Sequence, residues 1–227
     1  MSKGKLFLAS FYALVLLVGV GLIIGGGSIL WAETFMKDSD GFYTTRKVEV
    51  RRSSHAITSD SADIDVKHLS GLLNWIESIE VKLTAENERD EGVFIGIAPA
   101  DDLKEYLNGV HHDRIEEVDL NHPIGDPEIS YKNYPGTSSP SAPSSEEFWS
   151  ASKSGTGEQV LKWGIEEGTY AVALMNQDGS AGLDIKASIG ANAPIASGLG
   201  LWLTVAGLLL ALFSFLFLYF TVTRSKI

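Results

Sequence analysis

Two long apolar runs without a charged residue constrain this chain more than any other feature of its sequence. The first extends from Leu6 to Ala32 and the second from Ala187 to Thr223. An α-helix rises about 1.5 Å per residue, so about 20 apolar residues cross a hydrocarbon core roughly 30 Å thick. We therefore predict transmembrane helices at residues 6–32 and 195–223, and the sequence argues against a purely soluble protein.

The distribution of charge predicts the topology. All 29 acidic residues lie between the two runs, whereas the ends carry only basic charges: Lys3, Lys5, Arg224 and Lys226. By the positive-inside rule, residues 1–5 and 224–227 are cytoplasmic and residues 33–194 form an extracytoplasmic domain. The first run is far longer than the apolar core of a signal peptide, so we expect it to remain as an anchor. The prediction is a multi-pass protein of the cell membrane.

Small residues at helical spacing predict close helix packing in both runs. Gly21 and Gly25 lie four apart in the first run, and Gly200 and Gly207 share a face in the second. Small side chains let helix backbones approach each other in lipid. Two interpretations stay open, since the helices of one chain or those of several copies would satisfy the pattern.

The central segment is rich in strand signals. Two pairs of runs predict hairpins: residues 79–85 with 93–98, and residues 168–175 with 182–189, the latter joined by an Asp178-Gly179 turn. The one convincing helix is at residues 100–108. Seven or eight short strands with one helix predict a membrane-anchored all-β protein. Its ectodomain is an antiparallel β-sandwich of jelly-roll or immunoglobulin-like type, flanked by two transmembrane α-helices.

Residues 121–145 differ from the rest of the domain because they are rich in Pro and Ser and lack a periodic apolar pattern. They predict a long loop, which is either mobile or a functional lid. Tyr131 and Tyr134 are candidate anchors for a binding partner, since amphipathic aromatic side chains on loops often carry recognition.

Few residues point to chemistry. His112, Asp113 and His122 are the metal-ligand candidates, but neighbouring strand residues point to opposite faces, so a solvated turn is the simpler hypothesis. The chain has no Cys and no Gly-x-Ser-x-Gly elbow. We predict no catalytic residues, no metal and no cofactor, and the acidic domain argues against nucleic-acid binding.

Several motifs together carry a family resemblance: Asp-Ser-Asp-Gly-Phe-Tyr-Thr-Thr at 38–45, Phe-Ile-Gly-Ile-Ala at 94–98, Phe148-Trp149, and residues 170–180. In these motifs the chain resembles a family of prokaryotic two-pass membrane proteins that is widespread among actinobacteria and has an extracytoplasmic domain. The resemblance extends over nearly the whole chain. It implies the two-pass topology, and it implies no catalytic residue.

The leading functional hypothesis is a non-enzymatic membrane protein of the prokaryotic envelope. Its β-sandwich makes protein contacts, either as a homo-oligomer or as an accessory subunit of an envelope complex. The alternative is a ligand-sensing or channel-like membrane protein, and the third hypothesis is an extracytoplasmic metal-dependent enzyme. The expected partners are membrane lipid and either a second copy or another membrane protein, and the sequence identifies no small-molecule ligand.

Overall fold

The structure is a computed structural model that describes residues 3–64, 79–89, 91–119, 128–192 and 195–223. The chain divides into two compact units. Residues 1–41 and 193–227 form a helical unit, and residues 42–192 form a β unit.

The helical unit is an antiparallel pair of long apolar helices, α1 (Lys3–Phe35) and α3 (Ile195–Thr223). Over Leu6–Phe35 and Gly198–Thr221 they are long and apolar enough to cross a membrane, with mean hydropathies of 2.6 and 2.4. Leu, Val and Phe side chains cover their outward faces. Exposing so much apolar surface to water would be costly, because the hydrophobic effect favours its removal from water.

The β unit contains two sheets of mostly antiparallel strands in a sandwich-like arrangement. The first sheet has the order β1-β12-β5-β10, and β2 also pairs with β12. Its strands are β1 (Tyr43–Thr44), β2 (Val48–Arg52), β5 (Glu80–Asn87), β10 (Gln159–Gly164) and β12 (Leu183–Asn192).

The second sheet has the order β8-β7-β3-β11-β6-β9, and β4 also pairs with β11. Its strands are β3 (Ala56–Thr58), β4 (Ala62–Ile64), β6 (Val93–Pro99), β7 (His112–Asp119), β8 (Glu128–Tyr134), β9 (Ala151–Gly155) and β11 (Gly168–Asn176). Among the described residues, β3 and β7 form the one parallel pair of named strands.

Both predicted hairpins are wrong, although their strands exist. β5 pairs with β12 and β10 in the first sheet, whereas β6 pairs with β11 and β9 in the second. Likewise β11 and β12 belong to different sheets. Each turn therefore carries the chain from one sheet to the other. The two crossovers are joined where the buried Asn87 amide donates a hydrogen bond to Asn176 Oδ1 at 3.1 Å.

The second sheet is covered on both faces. Ile57, Ile95 and Ile97 face the first sheet, whereas Phe94 and Ala98 face a layer formed by α2 (Ala100–Tyr106) and an aromatic cluster of Phe148 and Trp149. This double burial explains the continuous apolar run of β6, which one-sided strands do not show.

The predicted long loop at 121–145 is also wrong in part. Glu128–Tyr134 is strand β8, which pairs antiparallel with β7 along its length, with a bulge between Ile115 and Glu117. A 3-10 turn lies further along the same segment, at Pro143–Ser145. Residues 121–127 lie outside the described ranges. Flanking prolines hid the strand, because Pro cannot donate to a sheet ladder and marks strand ends.

Candidate functional site

The β unit has an apolar cavity of about 430 Å³ between its two sheets. Its walls are almost wholly apolar. Val48, Val50 and Ala187 line it from the first sheet, and Ile115, Val172 and Leu174 line it from the second. Protein interiors are packed as densely as organic crystals, and voids larger than a water molecule are few. A cavity of this size and polarity falls within the range of small-molecule sites.

The cavity extends along the strands, so its two ends are distinguishable. At one end lie the buried side chains of Val50 and Ile57. At the other, which we term the mouth, lie Val118 with 43% of its surface exposed and Ile189 with 51%. Among the described residues of the β unit, these two are the large hydrophobic side chains that are exposed. The mouth therefore presents apolar surface to its surroundings.

Polar groups gather at the mouth. Thr45, Arg46 and Ser59 contribute to it, and Arg46 is the one charged residue among the described residues that line the cavity. Two hydrogen bonds fix the rim. The Thr45 amide donates to the Ile189 carbonyl at 2.8 Å, and the Ile189 amide donates to the Thr45 hydroxyl at 3.2 Å.

An ion pair joins the two sheets beyond the buried end of the cavity. The Arg52 guanidinium, on the first sheet, donates through Nε and Nη2 to the two oxygens of Asp113, on the second sheet, at 2.9 Å each. Asn133 Nδ2 donates to Asp113 Oδ1 at 2.8 Å. The Arg52 guanidinium also lies 4.6 Å from the centroid of the Tyr131 ring. Each of Arg52, Asp113 and Tyr131 lies two residues from a cavity-lining residue on its own strand.

The environment of Asp113 favours its charged form. Burial raises the pKa of this carboxyl, but hydrogen bonds from Arg52, Asn133 and Ser54, with the charge of Arg52, outweigh burial and hold that pKa well below its usual range. For Tyr131, burial raises the pKa of the phenol. Asp113 is therefore a structural carboxylate, charged at all ordinary pH values.

The metal-ligand candidates do not converge. His112 and Asp113 are neighbours on β7, so their side chains point to opposite faces. His112 stacks on Tyr134 with ring centroids 4.8 Å apart, and both oxygens of Asp113 are bound by Arg52 and Asn133. His122 lies outside the described residues. Within the part of the chain that the structure describes, no three His or acidic side chains cluster as metal ligands would.

The two tyrosines predicted as partner anchors lie on strand β8 rather than on a loop, and they face opposite ways. Tyr131 packs against the apolar core between the sheets. Tyr134 lies on the other face, where it stacks on His112 and where the guanidinium of Arg114 lies 5.3 Å from its centroid. Tyr131 is therefore a packing residue, and only Tyr134 borders an outer groove, of about 680 Å³, next to α2.

Two of the four predicted packing glycines lie at the contact between α1 and α3. A Cβ on Gly207 would lie 2.6 Å from the Gly19 carbonyl oxygen, and one on Gly200 would lie 3.1 Å from the Gly26 carbonyl oxygen. Gly21 and Gly25 lie elsewhere, since a Cβ on either meets no atom within 4 Å. The prediction for the intramolecular pair is thus corrected on α1, where Gly19 and Gly26 make the contact. These two lie seven apart, which is two helical turns, so they share a face that Gly21 and Gly25 do not.

Neither the cavity nor the ion pair at its end could be predicted from the sequence. Arg52 and Asp113 are 61 positions apart, and the cavity depends on the modest size of side chains from seven strands. The one signal available was the apolar alternation of these strands, which predicts a buried face but not how well that face is filled.

Comparisons with known proteins add little to this description. No family model and no curated protein matches the chain. Among solved structures, a chain in the cryo-electron microscopy structure of mud crab dicistrovirus is similar at a TM-score of 0.26 and 10% identity, over 71% of this chain and 77% of that one. A likeness at this level carries no inference, and the resemblance to an actinobacterial membrane family stays a prediction.

Proposed function

We propose that this chain is a two-pass membrane protein whose β unit is displayed outside the cytoplasm as a non-enzymatic binding module for an apolar ligand. The observation that carries the proposal is the apolar cavity between the sheets. The two apolar helices support the membrane location, and the basic residues at both ends of the sequence support cytoplasmic termini. The jelly-roll or immunoglobulin-like type of the sandwich belongs to this proposal as well.

Ligand binding is favoured over protein contacts for a physical reason. The loop that was expected to present two aromatic anchors is in part a strand, and one anchor is turned into the core. The cavity, in contrast, has the volume and the apolar lining of a small-molecule site.

A second candidate function is assembly with a further copy or with another membrane protein. It is supported by the outward position of Gly21 and Gly25, which leaves a small-residue face of α1 outside the contact with α3. This candidate does not compete with ligand binding, because it uses the helices rather than the β unit.

The membrane topology is testable by thiol labelling, because the chain has no native Cys. Single cysteines are placed at Ser2, Ser225 and the exposed Ser139. In intact cells, a membrane-impermeant maleimide should label only the Ser139→Cys variant, and lysed cells should label all three. Labelling at Ser2→Cys but not at Ser139→Cys in intact cells would invert the proposed orientation.

Ligand binding is testable with N-phenyl-1-naphthylamine, a neutral apolar fluorophore, added to the full chain in lipid nanodiscs. Ala187→Phe places a ring in the cavity, and Ala181→Phe makes the same change at an exposed turn position. Energy transfer from tryptophan to the probe should fall severalfold in Ala187→Phe and stay at the wild-type level in Ala181→Phe. Equal transfer in all three proteins would show that the cavity binds no apolar probe.

A further inference from the structure

We infer that the cavity holds the aliphatic chain of a single-chain anionic lipid, with the lipid headgroup at Arg46. This inference rests on the proposed function and names the class of its ligand. It depends on the shape of the cavity, on the charge at its mouth, and on where the mouth lies in the β unit.

The shape of the cavity favours a chain over a fused-ring compound. Two packed sheets lie about 10 Å apart, so the space between them is one layer of side chains thick. Where Val50, Val172 and Ala187 supply that layer, their short side chains leave a slot along the strand direction. At about 430 Å³ it is near the lower end of the range for small-molecule sites, which suits one aliphatic chain.

The chemistry changes along the slot in the order that an amphiphile requires. The inner part is lined by aliphatic residues such as Val50 and Ile57, and hydroxyl groups and Arg46 lie at the mouth. A chain inserted with its methyl end inward would bury its CH₂ groups away from water, which is favourable. A carboxylate or phosphate left at the mouth would meet the guanidinium of Arg46, which matches the geometry of both anions.

The mouth lies at the end of the β unit at which its chain begins and finishes. Tyr43 is paired with Ala191, and Thr44 with Gly190, so both ends of the β unit are side by side. Thr45 and Ile189, at the mouth, follow and precede these pairs by one residue. In sequence, the chain continues from both ends into the apolar helices. The exposed Val118 and Ile189 therefore lie at the end of the β unit that is joined in sequence to the apolar helices.

The test uses the full chain in phosphatidylcholine nanodiscs and two probes that carry a diazirine in the alkyl chain. One probe is a fatty acid and the other is a single-chain phosphatidylglycerol. After irradiation, peptide mass spectrometry locates the labelled residues. We expect labelling of β2, β11 and β12 within the cavity. Labelling by the fatty acid alone assigns a free fatty acid, and labelling by both probes assigns the shared chain-and-anion chemistry.

Matched variants separate the cavity from nonspecific labelling. Ala187→Phe and Val172→Phe fill the slot from opposite sheets and should each reduce cavity labelling at least fivefold, whereas Ala181→Phe should not. Two filling variants are used so that one survives if the other misfolds. Arg46→Gln should weaken labelling by the anionic probes severalfold and leave an uncharged diazirine fatty alcohol unaffected.

Three outcomes overturn the inference. The first is labelling confined to α1 and α3, the second is equal cavity labelling in the filled variants, and the third is no preference for the anionic probes over the alcohol. If energy transfer to N-phenyl-1-naphthylamine still falls in Ala187→Phe in these cases, the binding function stands and only the ligand class is wrong. If no probe enters the cavity, the proposed function fails with the inference.

Discussion

Single residues in this protein have roles set by partners far away in the sequence. Asp113 is an example, because sequence patterning made it a weak metal ligand and the structure makes it the buried half of an inter-sheet ion pair. Its side chain is 2% exposed, and that of Arg52 is 33% exposed. Removing one partner from such a pair leaves the other without compensation, which is costly in a buried setting.

We predict that Asp113→Asn lowers the free energy of unfolding at pH 7 by about 3 kcal/mol, because it leaves Arg52 without its counter-charge. The pKa of Asp113 is lowered in the folded state. The stability it contributes is therefore complete above its unfolded pKa of about 3.9 and is lost as the pH falls from there through the folded value. Urea denaturation at pH 7 and at about pH 3 should show a smaller acid-induced loss in the variant.

The control is Asp60→Asn, which removes a surface carboxylate 3.6 Å from Arg114 with 72% of its side chain exposed. Exposed ion pairs contribute little, so the unfolding curve of this variant should overlay that of the wild type at both pH values. If the two variants behave alike, the pair across the sheets does not stabilise the fold.

At the scale of elements, α1 packs on α3 through a defined set of small residues. We predict that Gly207→Leu separates the two helices, because a Cβ there already lies 2.6 Å from the Gly19 carbonyl. The matched change, Gly21→Leu, meets open space and should leave the pair intact. Disulfide trapping between single cysteines at Tyr12 and Phe217, whose rings stack, reports the pairing. Trapping should fall in the first variant only.

The elements also show what sequence patterning can and cannot predict. Apolar patterning located β5, β6, β11 and β12 closely, through period-two alternation in most of them and through a continuous apolar run in β6. Their partners were wrong, because a turn between two strands reads alike whether it closes a hairpin or crosses between sheets. Strand β3 was missed because three residues are too few to show a period.

The candidate site was likewise predictable in its residues but not in its arrangement. The apolar positions that line the cavity were recognisable as core positions, since Val50, Val172 and Leu174 lie in alternating strands. The space between them was not, because it depends on pairings between residues more than a hundred positions apart, such as Lys186 with Glu49. Apolar periodicity thus predicts which side chains are inside, and only the assembled sheets show where they fail to meet.

At the scale of the whole molecule, the apolar cavity lowers the stability of the fold but provides the space that ligand binding needs. Filling unused core space commonly stabilises a protein, at a cost to any function that needs the space. We predict that Ala187→Val raises the free energy of unfolding by about 0.5–1 kcal/mol and weakens binding of an apolar probe. Urea denaturation without ligand and a probe titration measure the two effects.

The matched control is Ala173→Val, on the face of β11 that packs against α2 and the aromatic cluster. Ala173 is fully buried there and lines none of the cavity. The same added volume should overpack this region and lower the free energy of unfolding by about 1–3 kcal/mol. Equal destabilisation in both variants would mean that the space near Ala187 is not available to a side chain.

The pairing of β12 has a consequence for how the protein is made. In the first sheet, β1, β2 and β5 all pair with β12, and β12 ends at Asn192, just before α3 begins at Ile195. During synthesis, β1 and β2 lack this partner until β12, the last strand of the unit, has left the ribosome, whereas β5 can pair earlier with β10. Non-local pairings of this kind form slowly and leave strand edges exposed in the meantime. Because α3 follows β12 so closely in the sequence, the first sheet is completed only while α3 is being synthesised or after it.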